Sequence, residues 1–170
     1  CSPSNPTGAV HSPEEVQAIA DVVEDRDLIV ISDEVYEKMV FGSARHVSIA
    51  TLSPKLRDKT IIVNSVSKTY AMTGWRIGFM VGPKEIITAA GKIQSQSTSN
   101  ASSIAQHAAL AAITGDSSCI TTMMNEYAKR RDFILQRIRQ IPGITCPEPE
   151  GAFYVFPNVK GLYRGTIRGS

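Results

Sequence analysis

The run Thr60-Ile61-Ile62-Val63-Asn64, continued by Ser65-Val66-Ser67-Lys68-Thr69-Tyr70-Ala71-Met72-Thr73-Gly74-Trp75-Arg76-Ile77-Gly78, decides how this chain is read. Its first five residues are mostly β-branched and apolar, as expected of a strand buried on both faces. The strand delivers the hydroxyls of Ser65 and Ser67 and the amine of Lys68 to its carboxyl end. Arg76 follows, between Gly74 and Gly78. An amine able to form an imine thus stands beside a guanidinium whose paired donors suit a phosphate. Few ligands carry both an aldehyde and a phosphate, and pyridoxal phosphate is the common one.

Outward from this stretch, helices alternate with short apolar runs. Upstream, Leu28-Ile29-Val30-Ile31 predicts another buried strand, ending at Asp33-Glu34. Before it, Ser12 as N-cap, Pro13 in the first turn and Glu15 closing a capping box predict a helix start. Val16, Ile19, Ala20 and Val23 carry that helix to about Asp25. The irregular stretch from Tyr36 to Lys59, with a short helix near Ser53 to Arg57, is long enough to cross between parallel strands. Downstream, Ile77 to Val81 predicts a third strand. Helices are expected from Pro83 to about Gln96, Ser103 to Thr114, and about Ser117 to Gln140, where Pro142-Gly143 stops the last one. Ala152 to Phe156 predicts one more strand. The class is α/β, a mainly parallel sheet flanked by helices. A composition shift after Pro142 divides the chain into residues 1–142 and the start of a smaller α+β domain, 143–170.

The bulk properties fit a globular protein: 42% hydrophobic and 20% charged residues in a chain of 170. A net charge of +2 gives no reason to expect nucleic acid or an anionic membrane, and no apolar run approaches a membrane span. Cys1, Cys119 and Cys146 show neither metal spacing nor a disulfide framework, so free thiols in a reducing, cytoplasmic compartment are expected. The chain opens on Cys1 and directly on a turn motif, from which a fragment of something longer is expected.

Asp33 and Lys68 each follow a buried strand, and open α/β sheets bind ligands at the carboxyl ends of their strands. Asp33-Glu34-Val35-Tyr36 and Lys68 are therefore candidates for one cleft, although Asp33 alone reads as an exposed strand-end carboxylate. A lysine becomes nucleophilic where its ammonium form is disfavoured, as beside a guanidinium or in partial burial; otherwise it is a surface lysine. Ser65 and Ser67 are hydroxyl donors or loop caps. Asn5-Pro6-Thr7-Gly8 reads on its own as a tight turn. His11, His46 and His107 have no mutual spacing that suggests a metal or a triad. The basic run Lys129-Arg130-Arg131, with Arg137 and Arg139, is explained by solvation and the helix dipole.

Together these residues resemble the class I aminotransferases, of the aspartate aminotransferase type within the fold-type I pyridoxal-phosphate enzymes. The likeness runs to about Pro157. It rests on Asn5-Pro6-Thr7-Gly8, Ser32-Asp33-Glu34-Val35-Tyr36, Ser65 through Gly78, and Gly151-Ala152-Phe153-Tyr154. Ala71-Met72-Thr73-Gly74-Trp75-Arg76 and Ser103-Ile104-Ala105-Gln106 look most like bacterial and plant aspartate/prephenate-type members.

The resemblance implies that Lys68 holds pyridoxal 5'-phosphate as an imine and, once displaced, carries the proton from the substrate α-carbon. It implies that Asp33 faces the pyridine nitrogen, that Asn5 and Tyr36 hydrogen-bond the phenolic oxygen, and that Ser65 and Arg76 hold the phosphate, with Ser67 a weaker candidate. The Asn5–Pro6 peptide is expected to be cis. Residues 1–142 are then part of a cofactor-binding large domain. The implied reaction is transamination between an amino acid and a 2-oxo acid, with aspartate, glutamate or prephenate-type substrates. A homodimer with composite sites is implied as well, the link Ser97 to Ser102 reaching the neighbour's phosphate.

Family chains are more than twice this length. They carry an earlier segment with a second phosphate-binding helix terminus and a ring-stacking aromatic, and a later arginine for the substrate carboxylate. Arg168 follows Phe156 too closely to take that last role, and the chain alone is expected to be inactive. Three other readings stay open. One is a β-lyase or another reaction on the same fold. Another is a non-catalytic aminotransferase-like module. The third is a serine hydrolase using Ser65-x-x-Lys68, whose S-D-N and K-T-G partners do not occur here.

Overall fold

The computed structural model describes residues 1–26 and 28–163. Three strands, β1 (Val30–Asp33), β2 (Thr60–Ser65) and β3 (Gly78–Val81), form one sheet in the order β1-β2-β3. β1 runs parallel to β2, pairing Val30 with Thr60 and Asp33 with Val63. β3 is antiparallel to β2, pairing Ile62 with Val81 and Ser65 with Gly78. The described sheet is thus mixed. The long excursion from Glu34 to Lys59 returns the chain to the same end of the sheet, as a parallel pair requires.

Among the described residues six α-helices accompany it: α1 (Pro13–Asp25), α2 (Pro54–Arg57), α3 (Val66–Thr69), α4 (Lys84–Ser97), α5 (Ser103–Thr114) and α6 (Ser118–Arg139). At the head of α1 the predicted capping box is formed. The Glu15 N–H donates to Ser12 Oγ at 3.2 Å, and the Ser12 N–H donates to Glu15 Oε2 at 2.8 Å. Two backbone donors that a helix start leaves unpaired are satisfied in this way. Val16, Ala20 and Val23 then meet Ile49 and Leu56 in one core cluster. Leu56 is fully buried, so its truncation to alanine is expected to cost about 2–5 kcal/mol. A second cluster joins Val66 and Ile77 to Ala105 and Ala109, fixing α3 against α5. A third joins Tyr36 and Met39 to Ala152.

Two sequence expectations are corrected. The first strand begins at Val30, leaving Leu28 and Ile29 outside it, and it is not buried on both faces: Ile31 is 70% exposed. β1 is an edge of the described sheet, and nothing described covers the outward side chains. Phe79, Met80 and Val81 of β3, the opposite edge, are exposed in the same way. Ala152 to Phe156 is not a strand. Only an isolated bridge links Val40 and Gly151, and Ala152 has a φ of 56°, outside the extended region that a ladder needs. No helix among the described residues is long and apolar enough to cross a membrane.

Candidate functional site

The parallel register of β1 and β2 brings Asp33 and Ser65 to the same end of the sheet, where both line one hollow with Val35, Asn64, Gly78 and Phe79. Hydrogen bonds fix this end. The Glu34 N–H donates to the Val63 carbonyl at 2.9 Å, and the Val35 N–H donates to Asp33 Oδ1 at 3.2 Å. The Ser65 N–H donates to Asn64 Oδ1 at 2.7 Å, while Asn64 Nδ2 donates to Glu37 Oε1 at 3.1 Å. Ser65 Oγ accepts from the Ser67 N–H at 3.2 Å, so Ser65 caps α3 as well as facing the hollow.

Val66 and Thr69 bury one side of the single turn of α3, which turns Lys68 toward an aromatic floor. Lys68 Nζ lies 5.4 Å from the Phe153 ring centre and 5.9 Å from that of Tyr36. A cation over a ring face is attracted to the ring quadrupole. Among the described residues Lys68 and Arg76 form no ion pair with a carboxylate.

Tyr36 is 3% exposed. Its Oη lies 2.6 Å from Tyr154 Oη, and the rings of Phe153 and Tyr154 approach it edge-on at 5.5 and 5.8 Å. Burial, then the bond to Tyr154 and the nearby charges, hold the Tyr36 phenol well above its ordinary range, against the opposing influence of the Asn5 side chain. Tyr36 therefore keeps its proton at neutral pH. Asp33 is one of those charges, so Asn5, Asp33, Tyr36 and Tyr154 belong to one neighbourhood. The Asn5–Pro6 peptide is cis as expected, and so is Ser2–Pro3.

Arg76 caps a 3-10 turn, Thr73–Trp75, with a φ of 55°, a left-handed conformation that costs a non-glycine residue about 1–2 kcal/mol. Its Nη1 donates to the Thr73 carbonyl at 2.8 Å. The side chain lines a hollow with Trp75, Asn100 and Ser102, and that hollow shares Gly78 and Gln94 with the one lined by Asp33 and Ser65. The structure thus brings all six candidates to one end of the sheet, in two adjoining hollows and the Tyr36 neighbourhood. Arg168 lies outside the described residues.

Several partners were not legible. Glu34 is 3% exposed and accepts from Ser48 Oγ at 2.6 Å and Ser32 Oγ at 2.9 Å, with His46 Nε2 at 3.2 Å. Burial pushes its carboxyl up, but the bonds to His46, Ser48 and Ser32 outweigh that and hold it below its ordinary value. Glu34, Glu37 and His46 place ligand-type atoms within 4.8 Å of one another, but the Glu34 oxygens are already engaged. Arg131 departs from the solvated reading of the basic run: its guanidinium lies 4.7 Å over the Phe41 ring and bonds Asp132. Phe153 and Tyr154 were visible as part of a motif, but nothing in their spacing tied them to Tyr36.

Comparison with known proteins finds relatives over nearly the whole chain. The chain is 49% identical over 159 residues to the aspartate aminotransferase of Geobacillus stearothermophilus, covering 94% of this chain and 40% of that protein. It is 45% identical over 169 residues to an aspartate/prephenate aminotransferase of Cereibacter sphaeroides, covering 99% of this chain and 42% of the relative. Its fold matches the crystal structure of the aspartate aminotransferase from Rhizobium meliloti with a TM-score of 0.91 at 40% identity, over 95% of this chain and 40% of that one. The chain thus spans about 40% of the length of these relatives. The profile of the family described as aminotransferase class I and II matches residues 1–164, and the chain belongs to that family.

Proposed function

We propose that this chain carries the lysine side of the active site of a pyridoxal 5'-phosphate-dependent aminotransferase, which moves an amino group between an amino acid and a 2-oxo acid. The observation that carries the reading is Lys68: an amine without a carboxylate partner among the described residues, laid over the rings of Tyr36 and Phe153 at the end of the sheet that also holds Asp33 and Ser65. The donor set fits the cofactor's four polar features. Lys68 suits the aldehyde, and Asp33 the pyridine nitrogen. Asn5 and Tyr36 suit the phenolic oxygen, and Ser65 with Arg76 the phosphate.

The cofactor, when bound, supplies a ring that accepts electrons from the substrate α-carbon. The chain's own residues do the rest. The Lys68 amine, once free, takes the α-proton as general base and returns it as acid, a contribution of about 10²–10⁴ in rate. The Asp33 carboxylate opposes loss of the proton on the ring nitrogen, as any close opposite charge does. The protonated Tyr36 donates to the phenolic oxygen, beside Asn5. Arg76 grips the phosphate with paired donors, and Ser65 adds a hydroxyl.

The names of the relatives support aspartate and prephenate-type substrates, and glutamate belongs to the same proposal. A cytoplasmic homodimer, with the link Ser97 to Ser102 facing the neighbouring copy's site, belongs to the same proposal. So does a division into a large domain through residue 142 and a small one from 143. The test is keto-acid formation by the full-length parent, loaded with pyridoxal phosphate and given aspartate and 2-oxoglutarate. Oxaloacetate and glutamate should appear in equal amounts, and Lys68→Ala should lose at least about 100-fold in rate. Release of ammonia without glutamate, or full turnover in Lys68→Ala, would overturn the reading.

A further inference from the structure

The Tyr36 hydroxyl has one proton to give and two lone pairs to fill. It lies 2.6 Å from Tyr154 Oη. The backbone explains how two successive aromatic residues reach one phenol. Along a strand, Phe153 and Tyr154 would point to opposite faces. Here the chain turns at Ala152, which is fully buried and left-handed, and both rings stand edge-on to Tyr36. Phe153 also stacks on Tyr127, with ring centres 5.5 Å apart, which leaves the Tyr154 hydroxyl as the polar group this turn presents to Tyr36.

We propose that Tyr154 is a positioning residue of the site: its O–H donates to Tyr36 Oη and so commits the Tyr36 proton to the cofactor's phenolic oxygen. The proposal rests on the pyridoxal-phosphate reading above. A hydroxyl that accepts one hydrogen bond becomes a better donor in the next, so Tyr154 strengthens the Tyr36 contact without touching the cofactor. Were Tyr154 the acceptor instead, the Tyr36 proton would be spent on it. The direction of the pair therefore decides whether Tyr36 serves the cofactor.

The test uses the full-length parent loaded with pyridoxal phosphate and reads the pH midpoint of the visible absorbance change of the bound cofactor. A hydrogen bond from Tyr36 favours the ionised phenolic oxygen, so weakening it raises that midpoint. Tyr154→Phe keeps the ring and removes only the hydroxyl. It should raise the midpoint by about 0.5 pH units. Tyr36→Phe should raise it further, and the double variant should match Tyr36→Phe alone, because Tyr154 acts only through Tyr36. Tyr127→Phe, a packing control on the other side of Phe153, should leave it unmoved. An unchanged or lowered midpoint in Tyr154→Phe, while Tyr36→Phe raises it, overturns the proposal. So does a double variant whose shift is the sum of the two singles. Absence of any titrating band in the unsubstituted parent, with no borohydride-fixed label on Lys68, overturns the cofactor reading itself and is distinguishable from the other outcomes.

Discussion

Gly8 and Gly151 are joined through one carbonyl: the Gly8 oxygen accepts the Gly151 N–H at 2.8 Å and, beside it, the Glu150 N–H at 2.9 Å. The turn that carries Asn5 is thereby fastened to the turn that carries Phe153 and Tyr154. The junction is also tight. A Cβ on Gly151 would fall 2.6 Å from Pro3 Cβ and 2.8 Å from the Met39 carbonyl oxygen.

Gly151→Ala is therefore expected to destabilise the protein by about 1–3 kcal/mol, the usual cost of forcing extra atoms into a packed site. Gly91, in the middle of α4, has open space where its Cβ would stand. Gly91→Ala should raise stability by up to about 1 kcal/mol, through helix propensity alone. Urea midpoints of the two variants should move in opposite directions. Midpoints that coincide would contradict the account of Gly151.

Glu34 makes stability depend on acid. Its folded value lies below the ordinary 4.5, so the charged form is the one that folding favours. Its contribution is complete above pH 4.5 and is lost as the pH falls through the lower folded value. Glu34→Gln should cost about 1–3 kcal/mol at neutral pH. It should also flatten the acid limb of a plot of urea midpoint against pH. An acid limb as steep as before would assign the acid sensitivity to other carboxylates.

Lys68 should be the residue that borohydride fixes to the cofactor. Peptide mapping after reduction of the loaded parent should find the label there. Lys55 donates to the Glu24 carbonyl at 2.7 Å and Lys59 to the Arg26 carbonyl at 3.2 Å, on the flank of α1. A label on either, or on Lys84, would contradict the assignment.

The 170-residue chain by itself should not transaminate at a useful rate. It holds Lys68, Asp33 and Arg76 but spans about 40% of its relatives, and positioning of the reactants is worth several kcal/mol. It should also associate, because Ile31 on β1 and Phe79 and Val81 on β3 present apolar sheet edges to solvent. Sedimentation of the isolated chain should show concentration-dependent oligomers, and Ile31→Lys should reduce them. A monomer at every concentration, or turnover comparable to the full-length parent, would refute this.

Most of the helices and two strands were legible in the sequence because their signals are local. Ser12, Pro13 and Glu15 mark the head of α1, and Pro142-Gly143 follows the end of α6. The candidates Lys68 and Arg76 were placed in the sequence by the strand that precedes them, and the structure sets both beyond the end of β2. What was not legible depends on contacts between distant segments. Phe153 and Tyr154 lie in a short continuous apolar run that fits a strand, whereas the backbone turns at Ala152, which packs against Tyr36 and Met39. His46 meets Glu34 across an irregular loop whose path no periodicity encodes.

The Tyr36–Tyr154 contact joins residues 118 positions apart, and this sets the order in which the site is completed. Synthesis runs from the amino terminus, so Asp33, Tyr36, Lys68 and Arg76 emerge well before the turn at Ala152. Contacts of such long range also close late in folding, because the loop between them must first lose its freedom. During that interval Lys68 has its strand end and its helix but not the Phe153 ring beneath it. A growing chain therefore displays the Lys68 amine before the aromatic floor beneath it exists.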